Sequence, residues 1–191
     1  DFSLSRGLGD VYKRQLVSIA KEKIGNSSVK VAAVSSYFPS GQVPMESKLL
    51  DTKYAIDSGA DEIDIVINRK GFLEGDYRKV YDEILALKEV CGDVHLKTIL
   101  EVGDLRTYEN IRKASLISLA AGSDFIKTST GKLSVGSSRQ SCYVMAKAVL
   151  DFKNLSGVSA GIKVAGGIRD AKEAIRYLVL IKEEMGNEWL T

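Results

Sequence analysis

Five short runs of apolar, mostly β-branched residues recur along the chain, separated by longer stretches with helical periodicity. The runs are "VKVAAVSSYF" from Val29, "EIDIVIN" from Glu62, "HLKTILE" from His95, "DFIKTST" from Asp124 and "AGIKVAGG" from Ala160. Val, Ile and Thr suit a pleated, buried surface, so each run predicts a buried strand. The stretches between them mix charge with Leu, Ala and Ile at helical spacing, over 45–59, 76–92, 104–122, 138–152 and 170–186. A shorter helical segment, 16–25, precedes the first strand. Gly59, Gly92 and Gly122 stand where a helix C-terminal glycine belongs, and Asp170 stands at an N-cap position. Strictly alternating strands and helices imply parallel strands joined by helical crossovers.

The repeat length narrows the architecture. Asp64, Lys97, Lys127 and Lys163 follow one another at 33, 30 and 36 residues. Eight such units make about 250 residues, the usual size of a (β/α)8 barrel. The alternatives are therefore an open doubly wound sheet or a TIM barrel present as about five of its eight units. No strand runs into a G-x-G-x-x-G turn, so the dinucleotide-binding fingerprint is missing. Four of the five strands also carry an ionisable residue in mid-run. Side chains alternate between the faces of a strand. Glu62, Asp64, Val66 and Asn68 thus share one face, and Ile63, Ile65 and Ile67 the other. Lys97 likewise opposes Leu96, Thr98 and Leu100, while Lys127 and Lys163 hold equivalent positions in their strands. A barrel packs its outer face on helices, so the charged face is the interior, toward the C-terminal mouth. The partial barrel is the expected fold.

Composition changes little in this picture. The 191 residues are 45% hydrophobic and 27% charged, as in ordinary globular domains. A net charge of +2, with both signs interspersed, gives no footprint for nucleic acid. No apolar run has the length of a membrane span and no signal-peptide core opens the chain. Cys91 and Cys142 lie far apart and outside metal-ligand spacing, as reduced thiols of a cytoplasmic protein would. The sequence leaves a homo-oligomer open. Residues 1–15 lack amphipathic period, and "GLGDVYKRQ" resembles read-through of a sequencing adapter. They are expected to be a leader foreign to the domain or without order, with the partial barrel over 16–191.

Three lysines and one aspartate in a confined interior carry specific chemistry. Burial and like-charge repulsion both disfavour an ammonium, so at least one lysine is expected to have a depressed pKa. A neutral lysine amine attacks carbonyls and forms a Schiff base. Asp64 offsets part of the charge and can move protons. Amine catalysis on an aldehyde or ketone follows, needing no metal or other cofactor. A second feature lies beside it. "TSTGK" ends a strand with Thr130, Gly131 and Lys132, and "AGGIRDAKE" runs through Gly166, Gly167 and Arg169 into a helix. Glycines let the backbone approach an oxyanion, and a helix N-terminus offers it free N–H groups. Barrels often hold phosphate after their late strands in this way. His95 begins a strand at the barrel's bottom, away from the chemistry, and Glu62 and Glu101 have structural roles by default.

"EIDIVIN", "HLKTILE", "KAS", "GSDFIKTSTGK" and "GIKVAGGIR" resemble the deoxyribose-phosphate aldolases, class I aldolases with a TIM barrel fold. The resemblance runs from about Val29 to Thr191. It implies Lys127 as the Schiff-base lysine, Lys163 as the neighbour that lowers its pKa and relays protons, and Asp64 as the relay carboxylate. Gly131, Lys132, Gly166 and Gly167 would hold the substrate phosphate, with Lys97, Thr130 and Arg169 counted among the substrate-binding residues. The implied reaction is reversible cleavage of 2-deoxy-D-ribose 5-phosphate to acetaldehyde and D-glyceraldehyde 3-phosphate. The chain departs from the family pattern at "GKLSVGSS", usually "GKxxxNAT", and at Val164, usually proline. The family's first two strands and its last, which carries further phosphate contacts, have no counterpart here. Open barrel edges favour aggregation, so the full-length parent is expected to be active and this chain poorly so. The alternatives are another Schiff-base phosphosugar barrel, or an inactive fragment that only binds phosphate.

Overall fold

Each β-branched run forms a strand, and each strand is shorter than its apolar pattern. The computed structural model describes residues 10, 11 and 14–190, with side-chain surroundings from residue 15 onward. Its strands are β1 (Asp10–Val11), β2 (Ala32–Val34), β3 (Glu62–Val66), β4 (His95–Ile99), β5 (Phe125–Lys127) and β6 (Gly161–Lys163). Between them lie α1 (Val17–Ile24), α2 (Met45–Asp57), α3 (Arg69–Leu73), α4 (Tyr77–Cys91), α5 (Tyr108–Ala120) and α6 (Arg139–Ser156), with α7 (Ala171–Met185) last. The leader expected over 1–15 falls mainly outside the described residues; within it, Asp10–Val11 pairs with Ala32–Ala33.

The helices stop and start where short-range chemistry directs. Asp76 accepts the Lys79 N–H at 3.2 Å to open α4, and Gly92 closes it with φ +54°. Ser138 and Ser141 form a reciprocal capping box at the start of α6. Along α4 the buried residues Val80, Ile84, Leu87 and Cys91 follow helical spacing and meet Ile63, Ile65 and Leu96 in one core. Each such side chain contributes about 1.5–3 kcal/mol by leaving water. The small helix α3 is absent from the apolar pattern because its sequence, "RKGFL", is short and contains Gly71. Asn68 nucleates it by accepting the Gly71 N–H at 2.9 Å.

The strand order decides between the two architectures. All neighbours pair in parallel, in the order β1-β2-β3-β4-β5-β6. A doubly wound sheet reverses its order at a switch point; this one never does. Right-handed crossovers along such a sheet place every helix on the same side. The other side is concave. Strands lie 4.7–4.9 Å apart, so β3 and β6 would be roughly 14 Å apart in a flat sheet. Yet Lys163 Nζ reaches Asp64 Oδ2 at 3.5 Å. The sheet is a partial (β/α)8 barrel.

Inside the curve the side chains stack in layers. Register places Val34, Asp64, Lys97, Phe125 and Gly161 level with one another. Val66, Ile99, Lys127 and Lys163 form the next layer, nearer the strands' C-terminal ends. The Phe125 ring fills the space over Gly161, where a Cβ would lie 2.1 Å from a ring carbon.

Candidate active site

Lys127 and Lys163 are direct register partners, so the two lysines stand at one depth. Asp64 and Lys97 pair two residues lower on their strands. The Asp64 carboxylate sits between the layers, its Oδ2 2.6 Å from Lys127 Nζ and 3.5 Å from Lys163 Nζ, and its Oδ1 3.3 Å from Lys97 Nζ. Asp64, Lys97 and Lys127 are buried, whereas the Lys163 side chain keeps 26% of its exposure. The face separation read from strand alternation is therefore correct, and it brings Asp64, Lys127 and Lys163 together.

The electrostatics follow from this packing. Burial alone raises the Asp64 pKa, but Lys127, Lys163 and Lys97 attract the ionised form more strongly and hold it below the ordinary carboxylate value. Asp64 is thus a permanent anion at neutral pH. Lys97 is also bound by Glu62 in a short ion pair, and its ammonium lies 5.8 Å from the Phe125 ring centroid. The three lysines face two carboxylates, a surplus of one positive charge that suits an anionic ligand. Lys97 is not brought to the phosphate loops: it sits a layer below Lys127, held by Glu62 and Asp64, where its effect is on the charge of Asp64.

The two glycine loops converge. Thr128 clamps them, its hydroxyl donating to the Ala165 carbonyl at 2.8 Å and accepting from the Ala165 N–H at 2.9 Å. Ser137 adds a second clamp, donating its N–H and its hydroxyl to the Gly166 carbonyl at 3.1 and 2.8 Å. Gly131 (φ +74°) and Gly167 (φ +93°) are exposed, with open space where a Cβ would stand. Lys132 and Arg169 are exposed on the same two loops. Thr130 is buried and bonded to Glu101. The N-terminus of α7 is only partly open to an anion, because Asp170 already accepts the Glu173 N–H at 2.7 Å.

Sequence reasoning missed Gly136, Ser137 and Thr128, and gave Glu101 only a structural role by default. A Cβ on Gly136 would lie 2.5 Å from the Gly166 carbonyl oxygen, a long-range demand with no local signature. The "GKLSVGSS" departure is accommodated by these contacts: Ser138 still caps α6, and Gly136 lets the loops touch. Among the described residues no group of three or more His, Cys, Asp or Glu could hold a metal ion. His95 lies exposed at the first residue of β4, and among the described residues no helix is long and apolar enough to cross a membrane.

The model of the DeoC/LacD family aldolases matches residues 11–186 of this sequence. The chain belongs to the DeoC/LacD aldolase family. Among family members, the deoxyribose-phosphate aldolase of Mus musculus is 45% identical over 182 residues, covering 95% of this chain and 57% of the mouse protein. That of Homo sapiens is 45% identical over 181 residues, covering 94% of this chain and 57% of its own. The chain thus spans little more than half the length of these two relatives. A solved deoxyribose phosphate aldolase from Aeropyrum pernix, described as tetrameric, superposes with a TM-score of 0.71 at 28% identity. It covers 87% of this chain and 66% of its own length.

Proposed function

We propose that the chain carries the Schiff-base centre of a deoxyribose-phosphate aldolase, cleaving 2-deoxy-D-ribose 5-phosphate reversibly into acetaldehyde and D-glyceraldehyde 3-phosphate. The observation that carries this reading is the Lys127–Asp64–Lys163 cluster, with Nζ to Oδ2 distances of 2.6 and 3.5 Å inside the barrel. Its location beside two phosphate-compatible glycine loops supports the substrate class, as do the names of the curated relatives.

In the cleavage direction Lys127 Nζ adds to the C1 aldehyde of the open-chain sugar, giving a carbinolamine. Nζ attacks as the neutral amine, having given one proton to a water molecule; that proton returns to the carbinolamine hydroxyl, water leaves, and the iminium carries a positive charge on Nζ. Asp64, already fixed beside Nζ, opposes the charge as it develops, so little reorganisation is needed. Loss of the C3 hydroxyl proton then breaks the C2–C3 bond. The bonding pair moves into the iminium, leaving an enamine on Lys127 and releasing D-glyceraldehyde 3-phosphate. The Asp64–Lys163 pair relays the C3 proton to C2 through a water molecule, and hydrolysis of the resulting imine frees acetaldehyde. Gly131, Lys132, Gly166, Gly167 and Arg169 hold the phosphate, and Thr130 orders their loop. The same steps in reverse join the two aldehydes.

Incubation with acetaldehyde and sodium borohydride tests the reading, followed by peptide mass spectrometry. A reduced two-carbon adduct on Lys127 is expected; an unmodified Lys127 overturns it. A second reading has one observation in its favour: β6 is only half buried, so the wall carrying Lys163 is partly open. On that reading the chain binds phosphate without turnover, and measurable cleavage of 2-deoxy-D-ribose 5-phosphate would exclude it. Self-association is part of the proposal, supported by the tetrameric relative. Light scattering after size exclusion checks it, with a strictly monomeric chain as the contrary result.

A further inference from the structure

Glu101 is a carboxylate at 1% exposure, just past the end of β4, with a left-handed backbone of φ +56°. Such a backbone is uncommon for a non-glycine residue and persists where its surroundings demand it. A buried carboxylate is costly unless its oxygens are satisfied by strong donors. Among the described residues no lysine or arginine pairs with Glu101. Its donors come from one residue, Thr130, whose N–H and hydroxyl approach Oε2 at 3.2 and 2.5 Å. The Thr130 hydroxyl in turn accepts the Lys132 N–H at 3.1 Å. Two links therefore connect a buried anion to the backbone of Lys132. At Gly131, between them, a Cβ would meet open space, so no side chain packs the arm in place there.

The scaffold behind Glu101 is firm. Leu100 and Val102 donate their N–H groups to the Lys127 and Thr128 carbonyls, both at 2.9 Å. The Glu101 backbone is thus pinned on either side to the segment that bears the Schiff-base lysine. A negative charge beneath an anion-binding loop opposes anion binding unless it serves to orient that loop. Here the Thr130 N–H and hydroxyl are both turned toward it.

We propose that Glu101 is the positioning residue of the 130–132 arm, setting how tightly the site holds the phosphate end of its substrate without acting on imine formation at Lys127. This rests on the aldolase reading above. Borohydride trapping with 2-deoxy-D-ribose 5-phosphate and with 2-deoxy-D-ribose separates the two ends of the substrate and needs no turnover. In Glu101→Gln and Glu101→Ala the half-saturating concentration of the phosphorylated sugar is expected to rise on the order of tenfold, the effect of losing a charged hydrogen bond. That of the unphosphorylated sugar should stay within about twofold, because only binding of the phosphate end is lost. Thr130→Val should share the defect and Thr130→Ser, which keeps the hydroxyl, should be spared. An unchanged preference for the phosphorylated sugar overturns the proposal, and so does an equal loss for both sugars, the mark of a merely structural residue. If alanine prevents folding, the near-isosteric glutamine decides. If no variant or parent chain forms an adduct, the aldolase reading has failed, and calorimetric titration with inorganic phosphate still decides the role of Glu101. Weaker binding in both Glu101 variants supports it; equal binding, or none to the parent chain, refutes it.

Discussion

Replacing Asp64 by asparagine keeps the shape of the side chain and removes the charge on which three lysines converge. The carboxylate lies 2.6 Å from Lys127, 3.3 Å from Lys97 and 3.5 Å from Lys163, and two of these lysines are buried. After the change the carboxylate still beside the cluster is Glu62, and it is already committed to Lys97. Removing one member of a buried ion pair costs about 3–5 kcal/mol, because the charge left behind is uncompensated. For a domain of this size that lowers Tm on the order of 6–20 °C. Lys127→Met should be milder, near 1 kcal/mol as for an ordinary substitution, since Asp64 keeps two cations and methionine fills a similar volume (about 1 kcal/mol by the usual distribution). The double variant should be more stable than the sum of the single effects, because the methionine removes an ammonium that the asparagine strands. Urea unfolding at pH 7, followed by circular dichroism with the m value checked for constancy, measures all four proteins. An Asp64→Asn variant within about 1 kcal/mol of the parent would refute this electrostatic account, given the range expected for a broken buried pair. Lys127→Met as the more damaging change would do the same.

The same carboxylate sets an acid limit: its folded pKa lies below its ordinary 3.8, so its contribution is complete above that value and fades as pH falls through the folded pKa. Urea midpoints between pH 2 and 5 should therefore fall less steeply in Asp64→Asn than in the parent, and parallel curves would contradict this. Burial pushes the Cys91 and Cys142 thiols up to about 12, so both should resist Ellman's reagent in the folded protein and react once urea unfolds it; rapid native labelling would show that the core is open. Gly136→Ala places a Cβ 2.5 Å from the Gly166 carbonyl and should weaken inorganic phosphate binding by prising the two loops apart, whereas unaltered calorimetric titration would show that their contact is unimportant to the anion.

Much of the site was legible because a strand's period of two is unforgiving. Asp64, Lys97, Lys127 and Lys163 each interrupt an apolar alternation, and all four face inward. What alternation leaves open is height. The equivalent positions of Lys127 and Lys163 could be read from their matching runs, but the pairing of Asp64 with Lys97 depends on how strands align side by side, so Lys97 could be assigned to the interior but not to the layer beneath the nucleophile. Helix ends at Gly92 and Asp170 were legible, since caps are local. Strand ends were not. The inner edge of "DFIKTST" stops being strand at Lys127, where Thr128 turns its hydroxyl onto the Ala165 backbone 37 residues away. The partner of Glu101 and the demand for Gly136 were hidden for the same reason: Thr130 and Gly166, which explain them, are neighbours only in the folded chain.

The central claim is that Lys127 is the carbon-nucleophile-forming amine of this barrel. Borohydride reduction in the presence of acetaldehyde, with the parent chain and Lys127→Met compared by intact mass and peptide mapping, addresses it directly. The account predicts a single reduced ethyl adduct on Lys127 in the parent and none at any site in Lys127→Met. An adduct that persists in Lys127→Met, or that maps to Lys97, Lys132 or Lys163 in the parent, would contradict it.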